Sequence, residues 1–201
     1  MNLPVSGPAL AMILLDSVPG GLRALDALAK EAPVEVLATG TIQRGMYLVA
    51  FAGEVDPVQR AFARACAVSD DGVFDSVLLP YAEEHIVPAM MDARPRPFGE
   101  GDTLGSIQCA APPTLVRAVD AALKGAMVEL VELRIGDGLG GKAIASLWGA
   151  THDVEAAIGL ANQAIARGRA AGASSVVIPN ADPVVRGALA DGSRFFKEWR
   201  G

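Results

Sequence analysis

Histidine, cysteine and aromatic residues are scarce in this chain, and each scarcity removes a class of function. Only two histidines occur in 201 residues, His85 and His152, and neither has a second ligand at metal-binding spacing, so no metal site is expected. The two cysteines, Cys66 and Cys109, are not at C-x-x-C spacing; Cys66 sits in the alanine-rich AFARACA and Cys109 ends an apolar run, so both read as small buried hydrophobes. Aromatics supply 5% of the chain against 51% for all hydrophobic residues, which leaves the core to Ala, Val, Leu and Ile. No apolar run approaches the roughly 18–20 residues that cross a bilayer. The start, MNLPVSGPALAMILLDSVPGG, also lacks the basic first segment of a secretory signal. A soluble, cytoplasmic protein is expected, with no membrane partner. Basic clusters are missing too: net charge is −6 and no Lys/Arg stripe forms, which argues against nucleic acid. Nothing resembles a Ser/His/Asp or Cys/His arrangement, and the pairs Asp70-Asp71 and Glu83-Glu84 fall in loop-like, solvated segments, so the chain is not expected to be an enzyme.

What the chain does have is repetition. Leu10 and Ile13 match Leu104 and Ile107; Arg23-Ala24 matches Arg117-Ala118; Asp26-Ala27 matches Asp120-Ala121; Lys30 matches Lys124; Val34-Glu35 matches Val128-Glu129. After a two-residue insertion, Gly45 and Gly53 match Gly141 and Gly149, and VLLP at 77–80 aligns with VVIP at 176–179. DARPRPFGEGD, residues 92–102, separates the copies and is rich in Pro, Gly and charge. The expected division is a first unit over 8–92, a linker over 93–102, a second unit over 103–187 and a tail over 188–201. The tail, with Phe195, Phe196 and Trp199, is read as having no counterpart in the first copy.

Each copy reads as strand, amphipathic helix, strand, tight loop, strand, helix, strand. The first strands are Ala9 to Leu15 and Leu104 to Ala110, and Leu22, Leu25, Leu28 and Ala29 recur at helical spacing in the first helix. Asp56 and Asp153 stand near the starts of the second helices, and Pro80 and Pro179 end the last strands. The fold class is therefore α+β: two tandem ferredoxin-like β-α-β-β-α-β units, each an antiparallel sheet with two helices on one face.

This order settles the reading of GDGLGGKA, residues 136–143, which satisfies G-x-G-x-x-G and nearly satisfies the phosphate-loop pattern. Such loops bind phosphate by delivering the chain into a helix whose free N–H groups face the anion. Here a strand, KAIASLWG, follows instead, and Ala143 stands where a magnesium-binding hydroxyl would be needed. The glycines belong to a hairpin that lets backbone approach something closely. Its counterpart in the first copy is GTIQRG, residues 40–45, and unlike loops on a like frame are expected to face a common functional space.

With ALDALAKEAPVEVL and AVDAALKGAMVELV, the hairpins TIQRG and IGDGLGGK, the glycines closing AFAGEV and SLWGATHDVEAA, and VLLP and VVIP, the sequence resembles the tandem-domain shell proteins of bacterial microcompartments. The likeness runs from about Pro8 to Val185 and favours the single-layer, unpermuted, trimer-forming kind. It implies a homotrimer shaped as a pseudohexagonal disk that tiles into facets with other hexameric and pentameric shell proteins and passes small metabolites through a central pore. By match to the family's K-I-G-S-G segment, Ile42, Gln43 and Arg44 would line the pore from the first copy, and Ile135, Gly136, Asp137, Gly138 and Leu139 from the second. Arg44 and Asp137 would then either latch each other around the axis or present donors and acceptors to a polar metabolite, unless both point to bulk solvent. Lys30 and Lys124 match the lysine at the facet edge. The family's I-P-R-P-H reads LPYAEEH and IPNADPV here, so the rim arginine is missing from both copies. Some trimers of this kind hold an iron–sulfur cluster through a loop cysteine; Gln43 occupies that position, so no cofactor is expected. The alternative is a duplicated ferredoxin-like regulatory protein that binds a small molecule.

Overall fold

The run ALAMILL has no polar residue on either side of its pleat, and a strand of that kind is stable only when both faces of its sheet are covered. In a computed structural model describing residues 7–92, 94–136, 138–168 and 172–194, that is its situation. The first copy contains β1 (Ala9–Leu15), α1 (Val18–Glu31), β2 (Glu35–Ile42), β3 (Met46–Gly53), α2 (Val55–Ser69), β4 (Val73–Leu79) and α3 (Ile86–Asp92). The second contains β5 (Thr103–Cys109), α4 (Pro112–Gly125), β6 (Glu129–Ile135), β7 (Ala143–Gly149), α5 (Thr151–Ile165), β8 (Ala173–Ile178) and α6 (Pro183–Ala190). Two four-stranded antiparallel sheets result, ordered β2-β3-β1-β4 and β6-β7-β5-β8. The unpermuted α+β order read from the sequence holds in both. Even the irregularities repeat: the β2–β3 ladder shifts register between Val36 and Ala38, and the β6–β7 ladder between Leu130 and Glu132, the matching positions.

Alternation divides the first sheet's residues between two cores. Ala9, Ala11, Ile13 and Leu15 face α1 and α2, against Ala24, Leu28, Val58 and Ala61. Leu10, Met12 and Leu14 belong to a different cluster, with Ile86 and Ala89 of α3, Val116 and Val119 of α4, and the interior of the second copy. Helix α4 is shared between the copies and is buried over most of its surface, its polar residues Asp120 and, in part, Arg117 included, because it packs on its own sheet and on the first copy.

Three features correct the sequence reading. First, each copy has a third helix. Helix α6 stands to VVIP as α3 stands to VLLP, with Ala82, Ala89 and Asp92 matched by Ala181, Ala188 and Asp191, so the repeat continues past residue 187. The same backbone bond precedes both helices: Ala82 N donates to Pro8 O at 2.9 Å and Ala181 N to Asp102 O at 2.8 Å. These helices escape periodicity analysis because each is only two turns long and contains Pro or Gly inside. Second, the run DVEAAIGLANQAIARGRAAG, residues 153–172, reads as one helix, but α5 stops at Ile165. Third, the Pro-rich linker is itself part of the packing. Arg96 N donates to Val131 O at 2.7 Å, and Phe98 meets Trp148 edge to face with centroids 4.9 Å apart. Leu104, Val131 and Trp148 form a third small core there, closed by Val185 and Leu189 of α6. Phe195, Phe196 and Trp199 lie outside the described residues. No helix among the described residues is long and apolar enough to cross a membrane.

Candidate functional site

The two unlike hairpins lie against each other. In the first copy, Gln43–Gly45 form a 3-10 turn in which Arg44 and Gly45 both adopt left-handed backbone, φ 75° and 74°. The matching positions of the second hairpin, Gly140 and Gly141, have φ 64° and 83°, so the turns end alike despite their different lengths. Gly136 and Gly138 are also left-handed, and the longer loop is closed by Gly136 N to Lys142 O and Lys142 N to Leu139 O, each 3.2 Å.

The glycines permit this contact. The amide of Gly140 donates to Oε1 of Gln43. A Cβ on Gly136 would lie 3.1 Å from Ile42 Cγ2, and one on Gly141 would lie 3.3 Å from the Gln43 carbonyl and 3.4 Å from Arg44 Cδ. The structure thus brings Ile42, Gln43 and Arg44 beside Gly136, Gly140 and Gly141. Arg44, Gly138 and Gly140 are exposed, and Leu139 is half-buried. Asp137 lies outside the described residues. Beside the hairpins a cleft of about 310 Å³ opens on the first copy, lined by Met12, Thr41, Ile42, Leu48 and Met90 among others, with Ile135 of the second copy at its edge. Its chemistry is apolar with a hydroxyl and backbone rim, and it offers no ionisable group.

The two family lysines are placed differently. Lys30 is exposed and, among the described residues, pairs only with Asp26, at 2.7 Å. Lys124 pairs with Asp120 at 2.8 Å and also donates to the carbonyl of Tyr81, in the other copy. It belongs to a polar joint that the sequence did not disclose. Asp75 of β4, fully buried, accepts from the Thr114 amide at 2.9 Å and the Thr114 hydroxyl at 2.7 Å, capping a helix whose own N-cap is Ala111. Arg117 Nη2 donates to the Ser76 carbonyl at 2.7 Å, and Asp120 accepts from the Glu83 amide at 2.9 Å. The signal for this joint was present, since Arg117 and Asp120 match Arg23 and Asp26, but no local pattern says which copy is covered. Burial, followed by the negative charge of Asp75, pushes the Cys109 thiol up to about 12.

Among the described residues, Glu83, Glu84 and His85 are the one group whose ligand atoms come close enough to share an ion; Glu84 and His85 are exposed, and His85 Nδ1 already faces Glu83 Oε1 at 2.6 Å. Sequence spacing had set His85 aside as isolated.

Comparison with known proteins gives this geometry a context. The sequence profile of the family described as BMC domain matches residues 9–82 and again 103–181. The bacterial microcompartment shell protein PduT of Citrobacter freundii is 29% identical over 155 residues, 77% of this chain and 83% of that protein. The crystal structure of a microcompartment protein from Desulfitobacterium hafniense superposes with a TM-score of 0.73 at 27% identity, covering 89% of this chain and 98% of that one. A fused permuted hexameric shell protein from the RMM microcompartment gives 0.58 at 22% identity over 79% and 84% of the two chains, a likeness of fold alone.

Proposed function

The chain belongs to the BMC domain family and carries the domain twice; on that footing we propose that this shell protein closes as a ring of three copies, tiles into microcompartment facets and leaves a central pore for small metabolites. Its role in this reading is structural, not catalytic, and its neighbours in the facet are other shell proteins.

One observation carries the ring. Positions that match between the copies are buried where the copies meet and exposed where they do not. Val116 is 0% exposed and its match Leu22 is 52%; Leu130 is 5% and Val36 is 38%; Val77 is 1% and Val176 is 47%. The second copy's first helix is covered by the first copy, so the first copy's own helix lacks a cover, and strand β8 lacks the helix that β4 has. The uncovered helix face and the uncovered edge strand are complementary ends of one head-to-tail contact. Such a contact repeats until the rotation closes, and a like-shaped unit used twice per chain closes with three chains in a family built on six-unit rings. Burying three exposed aliphatic side chains at each seam supplies several kcal/mol, at about 1.5–3 kcal/mol for a full Val or Leu side chain and less for a partial one.

In that ring the paired hairpins face the axis. Ile42, Gln43 and Arg44 alternate around it with Ile135, Gly136, Asp137, Gly138 and Leu139. The guanidinium of Arg44 and the carboxylate of Asp137, set among glycines, would suit polar, not apolar, solutes. Sedimentation equilibrium of the purified chain tests the ring: the mass of three copies is expected, and a dispersed monomer stabilised by a metabolite would favour the regulatory reading instead.

A further inference from the structure

The first helices of the two copies share three charged residues: Arg23, Asp26 and Lys30 in α1, and Arg117, Asp120 and Lys124 in α4. In α4 all three reach across to the first copy, to the Ser76 carbonyl, the Glu83 amide and the Tyr81 carbonyl. In α1 none does. Arg23 makes no hydrogen bond or ion pair with a described residue, and Asp26, whose side chain is 61% exposed, meets only Lys30.

Receivers for two of them exist at the far end of the chain. Ser175 of the edge strand β8 pairs with Ile107 as Ser76 pairs with the matching Ile13, so its carbonyl occupies the place of the Ser76 carbonyl. Asp182 occupies the place of Glu83, and the two close the same turn: Glu83 accepts from the His85 amide at 2.8 Å and Asp182 from the Val184 amide at 2.8 Å. The backbone amide of Asp182 makes no hydrogen bond with another described residue.

We propose that Arg23 and Asp26 form a polar lock on the next copy of this chain, Arg23 donating to its Ser175 carbonyl and Asp26 accepting from its Asp182 amide. The lock rests on the three-copy ring and assigns the residues that fasten its seams. An exposed i,i+4 pair such as Asp26–Lys30 is worth little alone; covered by a neighbour, the same carboxylate gains a charge-assisted bond to an amide that otherwise has none. Asp120, in the covered joint, is only 7% exposed. Lys30 is left out, because Asn180, at the place of Tyr81, has left-handed backbone at φ 47° and Tyr81 does not, so its carbonyl is presented differently. The buried Asp75–Thr114 contact is not repeated either, since Ser174 and Gly20 stand at those places. Seams between chains are therefore weaker than the joint within one.

Sedimentation equilibrium over a dilution series tests the lock with Arg23→Ala, Asp26→Ala and Asp26→Asn, beside Arg60→Ala, which breaks an exposed i,i+4 pair of the same kind on α2. Wild type and Arg60→Ala are expected to keep the mass of three copies. Each alanine variant in the lock should move dissociation to roughly tenfold higher protein concentration or more, and Asp26→Asn, which keeps one acceptor, by less. Circular dichroism should stay unchanged, because both residues are exposed in the single chain. Arg23→Ala and Asp26→Ala trimers that dissociate like wild type would overturn the lock and leave the ring standing. A monomeric wild type would overturn both.

Discussion

Gly45 and Gly141 end their hairpins with the same left-handed backbone but in different surroundings. A Cβ on Gly45 would meet nothing within 4 Å, whereas on Gly141 it would press on the Gln43 carbonyl and Arg44 Cδ. Gly45→Ala should therefore lose only conformational energy, about 1–2 kcal/mol, and Gly141→Ala measurably more; urea midpoints compared at equal slope read the difference. Cys109 offers a second test. Its thiol holds its proton to about 12 when folded and to 9.0 otherwise, so the native state binds more protons between those values and stability falls as pH rises through them. Cys109→Ala should flatten that fall, and at pH 9 native Cys109 should resist thiol reagents that modify it in urea. Asp75→Asn should lower the thiol's pKa, because the nearby negative charge is the second cause of its shift. The glycines of GDGLGG were legible as a hairpin from the strand that follows them. What they make room for was not, since Ile42 and Gln43 lie far away in the sequence.

Helices α1 and α4 descend from one element and start in different ways. Ser17 caps α1 from within, its Oγ accepting from the Gly20 amide at 3.3 Å. Helix α4 has Ala111 at that point and takes its cap from Asp75, in the other copy. Asp75→Ala should cost about 1–3 kcal/mol, the range for a lost cap or an abandoned buried donor. Hydrogen exchange should quicken first at the start of α4 rather than in α1. Most of the elements common to both copies were readable: β1 was placed at the ends it has, Ala9 to Leu15, and α1 followed from the spacing of Leu22, Leu25, Leu28 and Ala29. Helices α3 and α6 were not, because two turns with an internal Pro88 or Gly187 carry too little period to register. The polar joint was hidden for another reason. Arg117 and Arg23 look alike in sequence, and only the packing of one copy on the other tells them apart.

At the scale of the whole molecule, the lysines separate assembly into stages. Lys124 is engaged in the joint between copies, while Lys30 keeps its amine exposed and is proposed to meet neighbouring disks at the facet edge. Lys30→Ala should leave trimers intact and abolish extended sheets in electron micrographs of concentrated protein; sheets that persist would remove Lys30 from the edge. The duplication and the family were legible because matched residues run through both copies. The division of labour between them was not, because it depends on which surfaces remain uncovered. The shared helix α4 also bears on how the chain is made. A ribosome delivers the first sheet, with Leu10, Met12 and Leu14 bare on one side, well before Pro112 to Gly125 emerge to shelter them. Until then the nascent protein presents a sticky apolar surface, so a stalled or truncated translation product ending in the linker is a natural client for chaperones, and the order of the twin halves along the message is itself part of the folding programme.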